Sequence, residues 1–195
     1  MSPKNRGGRA AHAEQRPRRV CYSVAMSLDG FIAGPKGQCD WIVIDPEIDF
    51  NAIYEKFDVT IMGRRTFEVM KESRGANSTP GMQVFVCSRT LRREDHPGVT
   101  IVDDPRALVA ELSSKPGKDL WLFGGGSLFR SFAELGLVDA VEVALIPVLL
   151  GEGVPLLPSP AMQLALKLTS HKLLAQTGTM LLEYSLQYGV EPKHR

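Results

Sequence analysis

Three short segments combine glycine, hydroxyl and guanidinium groups as a phosphate site requires. They are Gly63-Arg64-Arg65-Thr66, Ser88-Arg89-Thr90 and Gly124-Gly125-Gly126-Ser127. Glycines let a ligand approach the main chain, and the first N–H groups of a helix attract an anion. Guanidinium and hydroxyl groups bind phosphate oxygens directly. Each segment alone is a weak signal, because a glycine triplet is often a simple turn and a single surface arginine is usually solvated.

Each segment follows a short apolar run that is typical of a buried strand. The runs are Val59 to Met62, Gln83 to Cys87 and Leu120 to Phe123. The glycine triplet also precedes apolar residues at helical spacing, namely Leu128, Phe129, Phe132 and Leu135. Ligands of open α/β sheets bind at the carboxyl ends of the strands, so we expect the three segments to meet at one edge.

The remaining elements predict the sheet that would hold these segments. Val20 to Met26 predicts a first strand, and Pro46 to Phe57 a first helix with Asp45 as its N-cap. Asp104-Pro105 predicts the start of a later helix. The alternation of strand and helix indicates an α/β fold with a mostly parallel sheet flanked by helices. Alternating apolar residues after Leu164 and after Met180 predict a C-terminal antiparallel strand pair that closes the sheet.

Length, composition and charge limit the possible functions. The 195 residues, 44% of them apolar, predict one domain at 19–189, with a disordered basic tail at 1–18 and a short tail at 190–195. The first 18 residues carry five positive charges and one negative charge, a net +4, which leaves the rest of the chain at −3. The predicted domain therefore has no basic excess, and general nucleic-acid binding is not expected. No apolar run reaches the roughly 18 to 20 residues of a membrane span.

The cysteines and histidines do not suggest a metal site. Cys21, Cys39 and Cys87 are odd in number and far apart, and the four histidines are scattered. The pattern fits a reducing compartment better than disulfides or zinc, so we expect a cytoplasmic protein without a bound metal.

The three segments together match a dinucleotide that bears an additional phosphate. The glycine triplet would hold the diphosphate, and Arg64, Arg65 and Arg89, with Ser88, would hold a 2′-phosphate. This pattern predicts NADPH in preference to NADH.

The order of the motifs resembles the dihydrofolate reductase superfamily. The motifs are SLDG before IA, then MGRRTFE, VCSRT, LFGGGSL and PVLLGEG, and they span about Arg19 to Tyr188. Within the superfamily the chain is most similar to the reductase domain at the C-terminus of bifunctional riboflavin-biosynthesis enzymes and to its stand-alone relatives. The resemblance implies a dihydrofolate-reductase-like fold, a homodimer and an NADPH-dependent reductase. The cofactor residues that it implies are Gly63, Arg64, Arg65, Thr66, Ser88, Arg89, Gly124, Gly125, Gly126 and Ser127.

Two departures from the superfamily make folate an unexpected substrate. Folate reductases have an arginine after the Pro-Gly before the third strand, where this chain has Met82, and a late-strand threonine is replaced by Ala144. The P-C-x-x-C signature of the zinc deaminase in the bifunctional enzymes is absent from the sequence. The chain is therefore expected to supply only the reductase half.

Three carboxylates are candidates for the proton donor. Glu47 lies near the position of the folate-binding acid, counting back from Gly63, and Asp49 is close by. Asp29 lies in the Ser27-Leu28-Asp29-Gly30 loop. The structural alternatives are a helix cap or a helix-dipole role for the first two residues and an Asp-Gly turn for the third.

The substrate side is predicted to be aromatic and acidic. The loop from Ser27 to Trp41 would cover the nicotinamide, so Phe31, Trp41 and Phe50 are candidate substrate-binding residues. This lining favours a small heterocycle over a phosphorylated sugar. The alternatives are a riboflavin-pathway pyrimidine ribosyl-phosphate reductase and a nucleotide-binding relative without catalytic activity. A homodimer is also expected because the loop Val148 to Leu157 is unusually apolar.

Overall fold

The computed structural model describes residues 17–74, 79 and 81–189. The helices are α1 (Phe50–Glu55), α2 (Arg64–Arg74), α3 (Pro105–Ser113) and α4 (Gly126–Glu134). The strands are β1 (Val20–Ser27), β2 (Phe31–Ala33), β3 (Phe57–Gly63), β4 (Gln83–Cys87), β5 (Thr100–Val102), β6 (Asp119–Gly124), β7 (Ala140–Ile146), β8 (Val154–Pro155), β9 (Ala165–Leu174) and β10 (Thr179–Gln187). The longest described helix, α2, has 11 residues, so no helix in these ranges is long enough to cross a membrane.

Eight strands form one sheet in the order β5-β4-β3-β6-β1-β7-β10-β9. The pairs from β5 through β7 are parallel, whereas β10 runs antiparallel to both β7 and β9. Strands β2 and β8 form a separate two-stranded antiparallel sheet. The predicted fold class is confirmed: the sheet is mixed and mostly parallel, and an antiparallel pair closes it.

Alternate residues of the central strands face two different layers of helices. Leu120 and Leu122 of β6 are fully buried in a core that includes Phe129 and Phe132 of α4. Trp121 faces the opposite side and belongs to a second cluster, against which residues of α1 pack. Burial on both faces explains why β6 is a continuous apolar run in the sequence.

The first helix is shorter than predicted. Helix α1 begins at Phe50, and its N-cap is Asp49, whose carboxylate accepts a hydrogen bond from the main-chain N–H of Ala52 at 3.1 Å. The predicted cap, Asp45, lies outside the helix because its carboxylate binds the main-chain N–H of Glu47 and the side chain of Thr177. Phe57, the predicted helix end, is instead the first residue of β3.

The folded domain begins earlier than predicted. Arg18 is 9% exposed, its Nε donates to the carbonyl of Lys118 at 2.6 Å, and its guanidinium pairs with Asp58. This residue was assigned to the tail because its neighbours are polar and basic. The other residues of the predicted tail up to 16, and the predicted C-terminal tail 190–195, lie outside the described residues.

Candidate functional site

The three segments that were predicted to bind phosphate lie at one edge of the sheet, as expected. Strands β4, β3 and β6 are adjacent and parallel. Gly63 at the end of β3 is in register with Cys87 at the end of β4, and Met62 is in register with Gly124 at the end of β6. The residues that follow these strands therefore leave the sheet side by side.

The first turns of α2 and α4 meet at this edge. Helix α2 begins at Arg64, immediately after β3, and α4 begins at Gly126 with Gly125 as its N-cap. A Cβ added to Gly125 would lie 3.5 Å from the Oγ1 of Thr66, and one added to Gly63 would lie 3.8 Å from the carbonyl oxygen of Gly124. Two helix N-termini, each with a positive dipole end, thus share one site that suits an anion.

The glycine turn that joins β6 to α4 has a conformation that requires glycine. Gly124 has φ +128°, in the region that side-chain-bearing residues avoid, and its peptide bond to Gly125 is cis. Beyond the turn, Ser127 is exposed in the first turn of α4. Because Gly124, Gly125 and Gly126 have no side chains, the residues of the turn do not cover its main chain.

A guanidinium and two hydroxyl groups form a corner beside these helix ends. The Nη1 of Arg64 donates to the Oγ1 of Thr90 at 3.0 Å, and that oxygen lies 3.4 Å from the Oγ of Ser88. Arg65 and Arg89 are exposed neighbours of this corner. Thr90 was not among the predicted site residues. Its position in the Ser-Arg-Thr segment, two residues after Ser88, could have identified it.

Gly126 has a packing role that its two neighbours do not share. A Cβ on Gly126 would lie 2.3 Å from the carbonyl oxygen of Pro155, 2.9 Å from that of Leu156 and 3.0 Å from the Cδ of Pro158. We refer to residues 154–158 as the β8 segment. Since this segment lies against the start of α4 and pairs with β2, it connects the glycine turn to the loop after β1.

Asp29 anchors a loop. Its carboxylate accepts hydrogen bonds from the Oγ of Ser27 at 2.6 Å, from the N–H of Gly151 at 2.7 Å and from that of Leu150 at 3.0 Å. The hydroxyl of Ser27, followed by these main-chain groups, lowers the pKa of Asp29. A carboxyl with a lowered pKa stays ionised, which suits an anchor better than a proton donor.

The segment from Asp45 to Asp49 is fixed to the turn between β9 and β10. Asp45 is buried and accepts hydrogen bonds from the N–H and Oγ1 of Thr177 at 3.2 and 2.8 Å. The N–H of Glu47, followed by these Thr177 groups, lowers the pKa of Asp45. The carboxylate of Glu47 is itself 3.0 Å from the Nζ of Lys172 on β9. Of the candidate acids, Asp49 caps α1 and Glu47 forms an ion pair, so each has a defined contact.

One predicted aromatic residue belongs to a row of rings on the α1 side of the sheet. Phe50 is tilted against Tyr54 with ring centroids 6.4 Å apart, and Tyr54 is tilted against Trp121 at 6.1 Å. The Nε1 of Trp121 donates to the carbonyl of Ser23 at 3.0 Å, which fixes the indole. Tyr54 and Trp121 were not among the predicted site residues, although Tyr54 lies four residues after Phe50 and so on the same helix face.

The other two predicted aromatic residues occupy different elements. Phe31 lies in β2, where a Cβ on Gly153 would come within 3.2 Å of its ring. Trp41 follows in the loop after β2, and its Nε1 donates to the carbonyl of Gln38 at 3.3 Å. The hydrogen bond of Trp41 stabilises the end of the loop from Ser27 to Trp41, which was predicted to cover the nicotinamide.

The sequence of this chain is similar to those of known proteins. A family profile described as the RibD C-terminal domain matches residues 18–179. The chain belongs to this family. Among its relatives is the uncharacterized protein YyaP of Bacillus subtilis (strain 168), which is 34% identical over 164 residues, covering 78% of this chain and 87% of YyaP. The family resemblance that the motifs indicated is thereby confirmed.

Solved structures agree with this RibD C-terminal domain assignment. A putative riboflavin biosynthesis protein from Shewanella sp. PV-4 has a TM-score of 0.75 and 25% identity, covering 87% of this chain and 99% of the other. A dihydrofolate reductase from Enterococcus faecalis, complexed with NADP(H), has a TM-score of 0.63 and 19% identity, covering 86% and 96%. The fold is therefore that of dihydrofolate reductase.

Proposed function

We propose that the protein is an NADPH-dependent reductase that transfers a hydride to a small heterocyclic substrate. The observation that carries this proposal is the meeting of the α2 and α4 first turns beside the corner of Arg64, Ser88 and Thr90. Two solved structures of the same fold support it through their names, one a putative riboflavin biosynthesis protein and one a dihydrofolate reductase in complex with NADP(H).

The residues at this edge suit a dinucleotide with a 2′-phosphate. The diphosphate would bind the first turn of α4 at Gly125 and Ser127, next to Thr66 and Gly63 of the α2 junction. The 2′-phosphate would bind Arg64, Ser88 and Thr90, with Arg65 and Arg89 adding positive charge. The bound cofactor would supply the hydride, so the protein needs to orient the substrate and provide a proton.

We assign the proton donor to Glu47. Of the three candidate carboxylates, Asp29 is held by two main-chain N–H groups and Ser27, and Asp49 caps α1. Among the described residues, the carboxylate of Glu47 pairs with the side chain of Lys172, in the segment that precedes Phe50. Because the Glu47 side chain is 42% exposed, it can exchange the lysine for a proton from solvent when a substrate binds and then pass that proton to the substrate, whereas a helix cap or a loop anchor is held in place by main-chain groups.

A second candidate substrate is a pyrimidine that carries a ribosyl phosphate. The ammonium group of Lys172 lies 3.0 Å from the carboxylate of Glu47. Only acidic and aromatic residues had been predicted on this substrate side. A lysine at this place could bind a phosphate ester. The family assignment also favours this candidate, whereas the row of Phe50, Tyr54 and Trp121 favours the flat ring that both candidates share.

The first prediction is a preference for NADPH over NADH. The Arg64→Ala variant should lose about tenfold in NADPH affinity, since a charge-assisted hydrogen bond to phosphate contributes about 1.5 kcal/mol or more, and NADH affinity should change little. Calorimetric titration of both cofactors measures the two effects separately. Arg106→Ala, at an exposed position on α3, is the control. Equal binding of NADPH and NADH by the wild type would remove the basis of the assignment.

Turnover distinguishes the remaining alternatives. NADPH oxidation would be followed with small pterin-like and pyrimidine-like heterocycles, with a pyrimidine ribosyl phosphate and with dihydrofolate. Turnover with the ring compounds supports the main proposal and requires Glu47, so Glu47→Gln should be slow while it binds NADPH normally. Turnover only with the phosphate ester supports the second candidate and should fall in Lys172→Ala. Bound NADPH without any turnover would identify a non-catalytic relative.

We also propose that the protein is a homodimer. The loop that first suggested this, Val148 to Leu157, packs partly on the core through Leu156 and Leu157, although Leu149 remains 69% exposed. Strand β9 is at the sheet edge, and its Leu166, Leu168 and Leu173 are 46 to 57% exposed. Sedimentation should give twice the monomer mass of 21.4 kDa. Separate Leu168→Lys and Leu149→Lys variants would show which surface is used, and a wild-type monomer at micromolar concentration would refute the dimer.

A further inference from the structure

The hydroxyl of Tyr22 is buried and has no hydrogen-bond partner among the described residues. Tyr22 lies in β1, in register with Leu122 of β6, and is 0% exposed. By contrast, the hydroxyl of Tyr188 accepts from the N–H of Val138 at 3.2 Å and donates to its carbonyl at 3.0 Å. Buried polar groups are nearly always paired, so the unpaired hydroxyl of Tyr22 calls for an explanation.

The ring of Tyr22 lies beneath the glycine turn. It stacks on Phe129 of α4, with centroids 4.1 Å apart and planes 9° from parallel. Its Cε2, two bonds from the hydroxyl oxygen, would be 3.9 Å from a Cβ on Gly124. The side chain is thus enclosed between β1, the end of β6 and the first turns of α4.

The chemistry of this position makes the hydroxyl an available donor. Burial raises the pKa of Tyr22, so the phenol keeps its proton at every ordinary pH. Because the hydroxyl is inaccessible to solvent, it cannot contact a ligand directly. Any effect on a ligand must pass through the main chain of the turn above it.

We propose that Tyr22 is a positioning residue for the glycine turn: its hydroxyl gains a main-chain hydrogen bond there when a phosphate-bearing ligand binds at the start of α4. This inference deepens the proposed function and rests on it for the identity of the ligand. In the ligand-free protein the unpaired hydroxyl is unfavourable, and ligand binding relieves that cost. Part of the ligand affinity therefore comes from a residue that the ligand does not touch.

The test compares Tyr22→Phe with Tyr188→Phe, which removes a hydroxyl that is already paired. Tyr22→Phe should melt at or above the wild-type temperature without ligand, and it should bind NADPH about fivefold more weakly, as expected for the loss of one hydrogen bond. Tyr188→Phe should melt lower and bind NADPH with unchanged affinity. A purely structural role of Tyr22 would not raise stability and lower affinity in the same variant.

Each outcome bears on one of the two proposals. NADPH binding by the wild type with equal affinity in Tyr22→Phe would overturn the inference and leave the proposed function standing. A melting temperature of ligand-free Tyr22→Phe well below the wild type would also overturn it, because the hydroxyl would already be paired. If the wild type does not bind NADPH, the proposed function fails. Inorganic pyrophosphate is then the probe, and weaker binding by Tyr22→Phe supports the inference whereas equal binding, or none, overturns it.

Discussion

Replacing Gly126 with alanine should strongly destabilise the protein and disrupt the proposed cofactor site. The added methyl group would lie 2.3 and 2.9 Å from two main-chain carbonyl oxygens of the β8 segment, which cannot rotate away as a side-chain tip could. Overpacking against rigid main chain costs about 3 kcal/mol, which corresponds to a melting temperature about 6 to 12 °C lower for a domain of this size. NADPH affinity should fall as well, because the start of α4 must move.

The effect of crowding at position 126 can be distinguished from the general effect of replacing a glycine with alanine. Gly98 has no heavy atom within 4 Å of an added Cβ and no positive φ, so Gly98→Ala should melt within about 1 °C of the wild type, as surface substitutions do. Thermal unfolding followed by circular dichroism, with NADPH titration of each variant, gives both quantities. A Gly126→Ala variant as stable as Gly98→Ala would mean that the β8 segment does not lie against α4 in solution.

Replacing Arg18 with alanine should give the second large effect, on stability alone. The change removes hydrogen bonds to the carbonyls of Lys118 and Leu112 and leaves Asp58 without its cation. Breaking a fully buried ion pair costs about 3 to 5 kcal/mol, and because Asp58 is 37% exposed we expect about 2 kcal/mol, or about 4 to 8 °C. The contacts of Arg18 lie at the opposite ends of the strands from the edge where we propose that the cofactor binds, so NADPH affinity should be unchanged.

A truncation series tests the same contact. A chain that begins at Pro17 should unfold like the full-length protein, whereas one that begins at Arg19 should show the loss seen in Arg18→Ala. Arg92→Ala, an exposed arginine, is the control for charge alone. Equal stability of the two truncated chains would contradict the inclusion of Arg18 in the folded domain.

The sequence predicted those elements whose signals are local. Helix α3 begins where Asp104-Pro105 predicted, because the carboxylate of Asp104 caps the N–H groups of Arg106 and Ala107. Strand β4 has the predicted bounds because its apolar run stops at both ends. The same cap-and-proline logic was wrong at Asp45, whose carboxylate binds Thr177 and not the start of a helix. That contact spans 132 residues, and no local pattern reports it.

The candidate site likewise has features that the sequence predicts and features that it does not. The meeting of three strand ends could be predicted because parallel strands bring their carboxyl ends to one edge. The anchoring of Asp29 to Gly151, 122 residues away, could not be predicted because it depends on which loop folds back over the sheet. The enclosure of Tyr22 could not be predicted either, because it depends on how α4 packs against β1. Sequence reasoning therefore located the groups that would bind a phosphate but not the groups that hold them in place.

The contact between Gly126 and the β8 segment constrains the two sides of that contact unequally during evolution. The two nearest atoms that a side chain at 126 would meet are the carbonyl oxygens of Pro155 and Leu156, and every amino acid supplies a carbonyl. Residues 155 and 156 can therefore drift among descendants of this gene without disturbing the contact, whereas any side chain at 126 disturbs it. Packing alone thus requires a glycine at 126 whether or not a cofactor binds, so its presence in a related sequence does not by itself identify an active enzyme.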